Sequence, residues 1–159
     1  MKILIRKSNY NDLENVYNLH IQCFEFQDRW YKNAISQYID NSIVIESNNN
    51  IVGILLQGNF IPISLNEEAN IDKIINNFDL KNSQYGIIMI CIHPKFRNKN
   101  LATKLINIHL NLNHISCLCT RKSNTNALNL YLKNNYEIYA IIKDKYYLPV
   151  EDGFFMIHK

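Results

Sequence analysis

Two stretches of this chain hold residues whose types and spacing suit chemistry. The first is Pro94-Lys95-Phe96-Arg97-Asn98-Lys99-Asn100-Leu101-Ala102-Thr103. It links an apolar run to a helical pattern. A turn leading from a buried strand into a helix aims backbone N–H groups and the positive helix end at one point, which suits an anion. Arg97, Lys99 and Lys104 add positive charge. The same pattern also serves as a solvated surface turn. The second stretch is Arg121-Lys122-Ser123-Asn124-Thr125-Asn126-Ala127-Leu128-Asn129-Leu130-Tyr131. Ser123 or Asn124 can cap the helix that follows. Tyr131 stands seven residues after Asn124, two turns on and on about the same face. A phenol there can protonate a leaving group, or it can simply pack.

The elements that position these stretches follow from periodicity. Residues 2–7 read as a first strand. Ser8, Asn9 and Asp12 supply capping chemistry, and Leu13, Val16, Tyr17, His20 and Ile21 then repeat at helical spacing. His20 is expected at the core edge. Residues 23–31 break the pattern and read as an irregular junction, with a short second helix over 33–39. Residues 42–47 and 51–56 are β-branched runs around Asn48-Asn49-Asn50, the pattern of a hairpin. Residues 60–82 read mostly as loop, with a short helix over 71–78. Residues 86–92 are apolar on both faces, as in a central strand. A helix carrying Leu101, Leu105, Ile108 and Leu112 on one side follows. A strand over 115–120, a helix over 126–134 and strands over 137–142 and 154–158 complete the order.

Composition excludes several classes. The 159 residues are 47% apolar and 19% charged, with a scattered net charge of +3. That is a globular balance with no nucleic-acid footprint. The longest apolar run, 87–92, is too short for a bilayer, so no membrane partner is expected and a cytoplasmic location is. The four cysteines, Cys23, Cys91, Cys117 and Cys119, have no metal-ligand spacing, so no metal is expected and reduced thiols are. Cys117 and Cys119 share one strand face.

Taken together, the two stretches resemble the GNAT superfamily of N-acetyltransferases along nearly the whole chain. Residues 97–102 look like its pyrophosphate loop, R/Q-x-x-G-x-G/A. Asn124, Ala127 and Tyr131 match its N-x-x-A-x-x-x-Y signature, and Ile51-Val52-Gly53 its hairpin strand. Arg121-Lys122-Ser123-Asn124, Ala127-Leu128, Leu130-Tyr131, Lys145-Tyr146-Tyr147, Glu151-Asp152 and Met156 are similar to catalytic subunits of protein N-terminal acetyltransferases and, in part, to bacterial ribosomal-protein acetyltransferases. Two departures stand out. Asn100 occupies the glycine position of the pyrophosphate loop, and Cys119 stands where some of these enzymes carry a catalytic histidine.

The resemblance implies a single α/β domain over 1–159. Its fold is a GNAT-like mixed central sheet with helices on both faces, in the order β-α-α-β-β-β-α-β-α-β-β. It implies acetyl-CoA as co-substrate, held by Ile90, Cys91 and Ile92 and by Arg97, Asn98, Lys99, Asn100, Leu101, Ala102 and Thr103, with Asn124 and Tyr131. Tyr131 is then the general acid, and Glu25 through water or Tyr85 the base. Phe24, Glu25 and Phe26 form one wall for a protein or peptide N-terminus, unless the two phenylalanines are plain core. Tyr146 and Tyr147, between the last two strands, form the other wall. An auxiliary subunit is compatible with this reading. Two alternatives share the same residues: acetylation of lysine, a polyamine or another small amine, and a CoA-binding module of little activity, which Asn100 and Cys119 favour.

Overall fold

A computed structural model describes residues 2–59, 85–113 and 115–158. The short helix expected over 71–78 lies outside them. The described elements run β1 (Ile3–Lys7), α1 (Leu13–Cys23), α2 (Lys32–Ser36), β2 (Ile43–Ser47), β3 (Asn50–Asn59), β4 (Tyr85–Ile92), α3 (Leu101–Leu112), β5 (Ser116–Arg121), α4 (Thr125–Lys133), β6 (Glu137–Tyr147) and β7 (Val150–His158). The expected order of strands and helices holds, and so does the mixed α/β class. The chain groups into two compact units, residues 1–58 with 87–111, and residues 59–86 with 112–159.

In the first unit the strand order is β1-β2-β3-β4. β1 pairs antiparallel with β2, and β2 with β3. The hairpin turn falls within the expected Asn48-Asn49-Asn50 triplet, with Asn50 already the first residue of β3. Asn48 and Asn49 have φ of 50° and 62°, the left-handed pair that a two-residue turn demands and that asparagine tolerates. A Cβ on Gly53 would come within 2.8 Å of Ile92 and 3.0 Å of Ile45, so only glycine fits there without a shift. Arg6 grips the Asp12 carboxylate through two nitrogens at 2.7 and 2.8 Å. Asp12 in turn accepts the Asn9 N–H in a capping box around the single 3-10 turn Tyr10–Asp12 that leads into α1. Leu13, Val16 and Leu19 of α1 pack with Ile35, Ile39, Val44, Ile54, Leu56 and Met89 in the core. α3 buries Leu101, Leu105, Ile106 and His109. Leu112, expected on that face, is 67% exposed. It is the last helical residue, where the face turns away from its core.

In the second unit the order is β5-β7-β6, all antiparallel. Gly86, near the start of β4, pairs in parallel with Cys117 of β5. β6 and β7 form a long hairpin with irregular register near Ala140 and Tyr146. Its core holds Cys117, Ile142, Phe155 and Ile157. Both strands run well beyond the expected spans 137–142 and 154–158. The polar residues Lys143, Asp144 and Lys145 hide the strand from an apolar-run reading; they lie in the irregular stretch between the paired residues Ile142 and Tyr146.

Candidate active site

One candidate region, in the first unit, is the passage from β4 to α3. His93 closes β4 by donating its N–H to the Val52 carbonyl at 2.9 Å. Its ring nitrogen Nδ1 then accepts the Lys95 N–H at 3.2 Å, capping a single helical turn at Pro94–Phe96. Asn98 and Asn100 both stand in the left-handed region, at φ of 58° and 56°. Asn100, in the glycine position of the motif, thus adopts the conformation that glycine would supply, at the lower cost asparagine carries there. Its carbonyl accepts the Lys104 N–H at 3.1 Å, which starts α3. The N–H groups of Leu101, Ala102 and Thr103 have no carbonyl within the helix to meet. Arg97 folds back, its Nε donating to the Ile92 carbonyl at 3.1 Å. Lys99 lies over the Phe96 ring at 5.3 Å.

The end of α1 belongs to the same unit. Phe24 is half-buried against His20, ring centroids 4.8 Å apart, and packs on the core. Glu25 is exposed, and Phe26 is 83% exposed. The junction expected as a wall is therefore divided: Phe24 is core and Phe26 is not. His20 is fully buried rather than at the core edge. Its Nε2 accepts the Trp30 N–H at 2.7 Å, which fixes the junction. Burial, then the nearby Arg29 charge, lowers its pKa.

A second candidate region, in the other unit, lies around α4. Asn124 caps the helix, its side-chain oxygen accepting the Ala127 N–H at 3.1 Å. This gives Asn124 and Ala127 of the signature a structural purpose. Tyr131 is 6% exposed. Burial, and then the neighbouring Tyr136 and Tyr146, push its phenol well above the ordinary tyrosine range. It meets Tyr136 edge-on at 5.7 Å, and the Tyr136 hydroxyl is 2.7 Å from that of Ser116. Tyr85 is half-buried near the start of β4. Cys119 is half-buried, and burial pushes its thiol up to about 11, only partly offset by Lys145. It is a neutral thiol near pH 7.

Tyr146 and Tyr147 are not in a loop, as expected, but are the last two residues of β6, opposite Glu151 and Val150. Successive strand residues face opposite sides, so the pair does not form one wall. Tyr146 lies under the Arg121 guanidinium, 4.3 Å from ring to carbon. Tyr147 is 78% exposed. Arg121 also donates to the Leu148 and Pro149 carbonyls at 3.1 and 3.3 Å and to Glu151 at 3.3 Å. The Glu151 carboxylate further accepts the Ser123 hydroxyl at 2.9 Å and the Ser123 N–H. Desolvation would raise the Glu151 pKa; the Ser123 and Arg121 bonds outweigh it and hold the carboxyl below its usual range. This bracing ties the hairpin tip to the start of α4. Sequence reading missed it, although Arg121, Ser123 and Glu151 all belong to the motif residues. Among the described residues no cluster of three metal-ligating side chains occurs.

The sequence matches the model of the acetyltransferase (GNAT) family over residues 13–136. Among solved structures the chain is similar to the ribosomal-protein-S18-alanine N-acetyltransferase of Escherichia coli, at 14% identity and a TM-score of 0.76, covering 98% of this chain and 92% of that one. It is similar to Arabidopsis thaliana NAA60 in complex with acetyl-CoA, at 17% identity and a TM-score of 0.77, covering 99% and 98%. The loading GNATL domain of CurA from Lyngbya majuscula matches at 12% identity and a TM-score of 0.80, covering 100% and 98%. At such identities these likenesses establish the fold. Comparison with curated proteins returned no match.

Proposed function

The chain belongs to the GNAT acetyltransferase family, and from that premise we propose that it transfers acetyl from acetyl-CoA to the N-terminal amine of a protein or peptide. The observation that carries the catalytic part is Tyr131, a buried phenol at the family's signature spacing from Asn124. In this reading the amine nitrogen attacks the thioester carbon. The C–N bond forms, the C–S bond breaks, and Tyr131 gives its proton to the departing thiolate. The left-handed turn and the N–H groups of Leu101, Ala102 and Thr103 take the diphosphate, with charge from Arg97 and Lys99. Main-chain groups of Ile90, Cys91 and Ile92 hold the pantetheine arm and polarise the carbonyl.

Cys119 does not replace a histidine base, because its thiol stays neutral and is a poor acceptor of protons. An α-amino group with a pKa near ~8 needs less help than a lysine at ~10.4. Exposed Glu25, acting through water, or Tyr85 then suffices as base. Two features support a peptide acceptor. Phe26 and Tyr147 leave aromatic rings in solvent at the two segments assigned to the acceptor, and such rings gain by covering. The braced tip at Tyr146 gives one segment a fixed shape. An auxiliary subunit would cover the same rings.

Free CoA release measured with free N-terminal peptides, α-amino-blocked peptides carrying an internal lysine, and polyamines tests this reading. Turnover should be confined to free N-termini. Equal rates on blocked peptides would replace the acceptor while leaving the enzyme class intact. No turnover with any amine, despite acetyl-CoA binding, would leave a CoA-binding module.

A further inference from the structure

Cys23 ends α1 and Cys91 lies in β4, both in the first unit, 68 positions apart in sequence. The fold brings their side chains to one place. The Cys23 thiol reaches the Ile92 carbonyl at 3.5 Å, the same oxygen that accepts Arg97 Nε at 3.1 Å. Cys23 packs against the buried core cluster that holds Cys91. Cys23 is half-buried and so open to a small reagent; Cys91 is buried behind it. Neither side chain has a part in the transfer reaction described above, where Cys91 contributes only its main chain.

We propose that Cys23 and Cys91 are a peroxide-responsive thiol pair, in which Cys23 is oxidised first and Cys91 closes a disulfide within the chain. Hydrogen peroxide is the oxidant. The Cys23 thiolate attacks one peroxide oxygen, so the S–O bond forms and the O–O bond breaks. Hydroxide leaves and takes up a proton to become water. Cys23 is then a sulfenic acid. Cys91 loses its proton and attacks the Cys23 sulfur, forming the S–S bond and expelling hydroxide, which that proton converts to a second water. Two thiols have lost two electrons and one peroxide has become two waters. Closing the pair brings the sulfurs to the ~2.05 Å of a disulfide.

The electrostatics assign the order. The Cys91 thiol as donor, opposed by burial and aided by Arg97, lowers the Cys23 pKa to about 7. Bonding to Cys23 and burial raise that of Cys91. Burial pushes Cys117 up to about 12 and Cys119 up to about 11. Thiolate fraction governs oxidation, so the other two cysteines are internal controls.

The test treats the reduced protein with hydrogen peroxide and maps unreduced peptides by mass spectrometry. A Cys23–Cys91 crosslink should appear with the loss of two hydrogens, while Cys117 and Cys119 remain alkylatable. In Cys91→Ser a dimedone adduct should accumulate on Cys23, and in Cys23→Ser neither product should form. Should Cys91→Ser fail to fold, the pH dependence of iodoacetamide alkylation of the unmutated protein decides the order. Its midpoint at Cys23 should lie near 7 rather than near the ordinary ~8.5. The proposal is overturned if Cys23 oxidises no faster than Cys119, or if the unmutated protein stops at sulfenic acid without the crosslink. These readouts follow sulfur alone, so they stand or fall apart from the acceptor assignment.

Discussion

In the turn after β4, Asn98 and Asn100 hold φ of 58° and 56°, and in the proposed function the groups offered to an anion are main-chain N–H groups at the head of α3. At α4 the corresponding group in that proposal is one side-chain oxygen, that of Tyr131, which is buried. The two regions use the chain in opposite ways. A main-chain site depends on backbone dihedrals, so any residue that adopts them will serve, and asparagine can stand for glycine. A side-chain site depends on one functional group, so even the loss of a single oxygen is decisive. On that proposal Asn100 is a tolerable departure from the motif, whereas a departure at Tyr131 would not be.

Tyr131→Phe should give the largest effect, because it removes the proton donor and keeps the ring. Turnover should fall by ~10²–10⁴-fold with acetyl-CoA affinity nearly unchanged in titration calorimetry. An active Phe variant would make Tyr131 a packing residue and erase the contrast. The pH profile sharpens the same point. A phenol raised above its ordinary ~10 is lost only when pH passes that higher value. The kcat/KM should therefore climb as the acceptor amine deprotonates near pH ~8 and show no fall attributable to Tyr131 below pH ~10.

Arg97→Glu comes next. A charged hydrogen bond is worth ~1.5–3 kcal/mol, so acetyl-CoA should bind ~10–100-fold more weakly, with kcat at saturation little affected. Tyr146→Phe and Tyr147→Phe should raise the peptide KM by a factor matching ~0.5–1.5 kcal/mol and leave acetyl-CoA binding alone. If only one of the two matters, their opposite facing on β6 is the reason. Asn100→Gly should be the smallest change, because glycine takes positive φ freely. Acetyl-CoA affinity within a few-fold of the unmutated value is expected. A large gain would show that the asparagine side chain crowds the phosphate, and that this turn is not governed by its backbone alone.

The sequence by itself determined the elements and their order. β-branched runs, the Asn48-Asn49 turn, the capping residues Asn9, Asp12 and Asn124, and the seven-residue step to Tyr131 are local signals, each decided within a few positions of chain. The spacing motifs were legible for the same reason. What the tertiary structure alone decided involves residues far apart in sequence. Pairing with β7 resumes at Tyr146 and Tyr147, beyond the irregular stretch of Lys143, Asp144 and Lys145, and sets the two tyrosines on opposite faces. Burial of His20 and Tyr131 came from elements packed around them. Cys23 and Cys91 carry no joint pattern in the sequence; they meet because α1 packs beside β4, and a contact between distant positions is set by topology and packing.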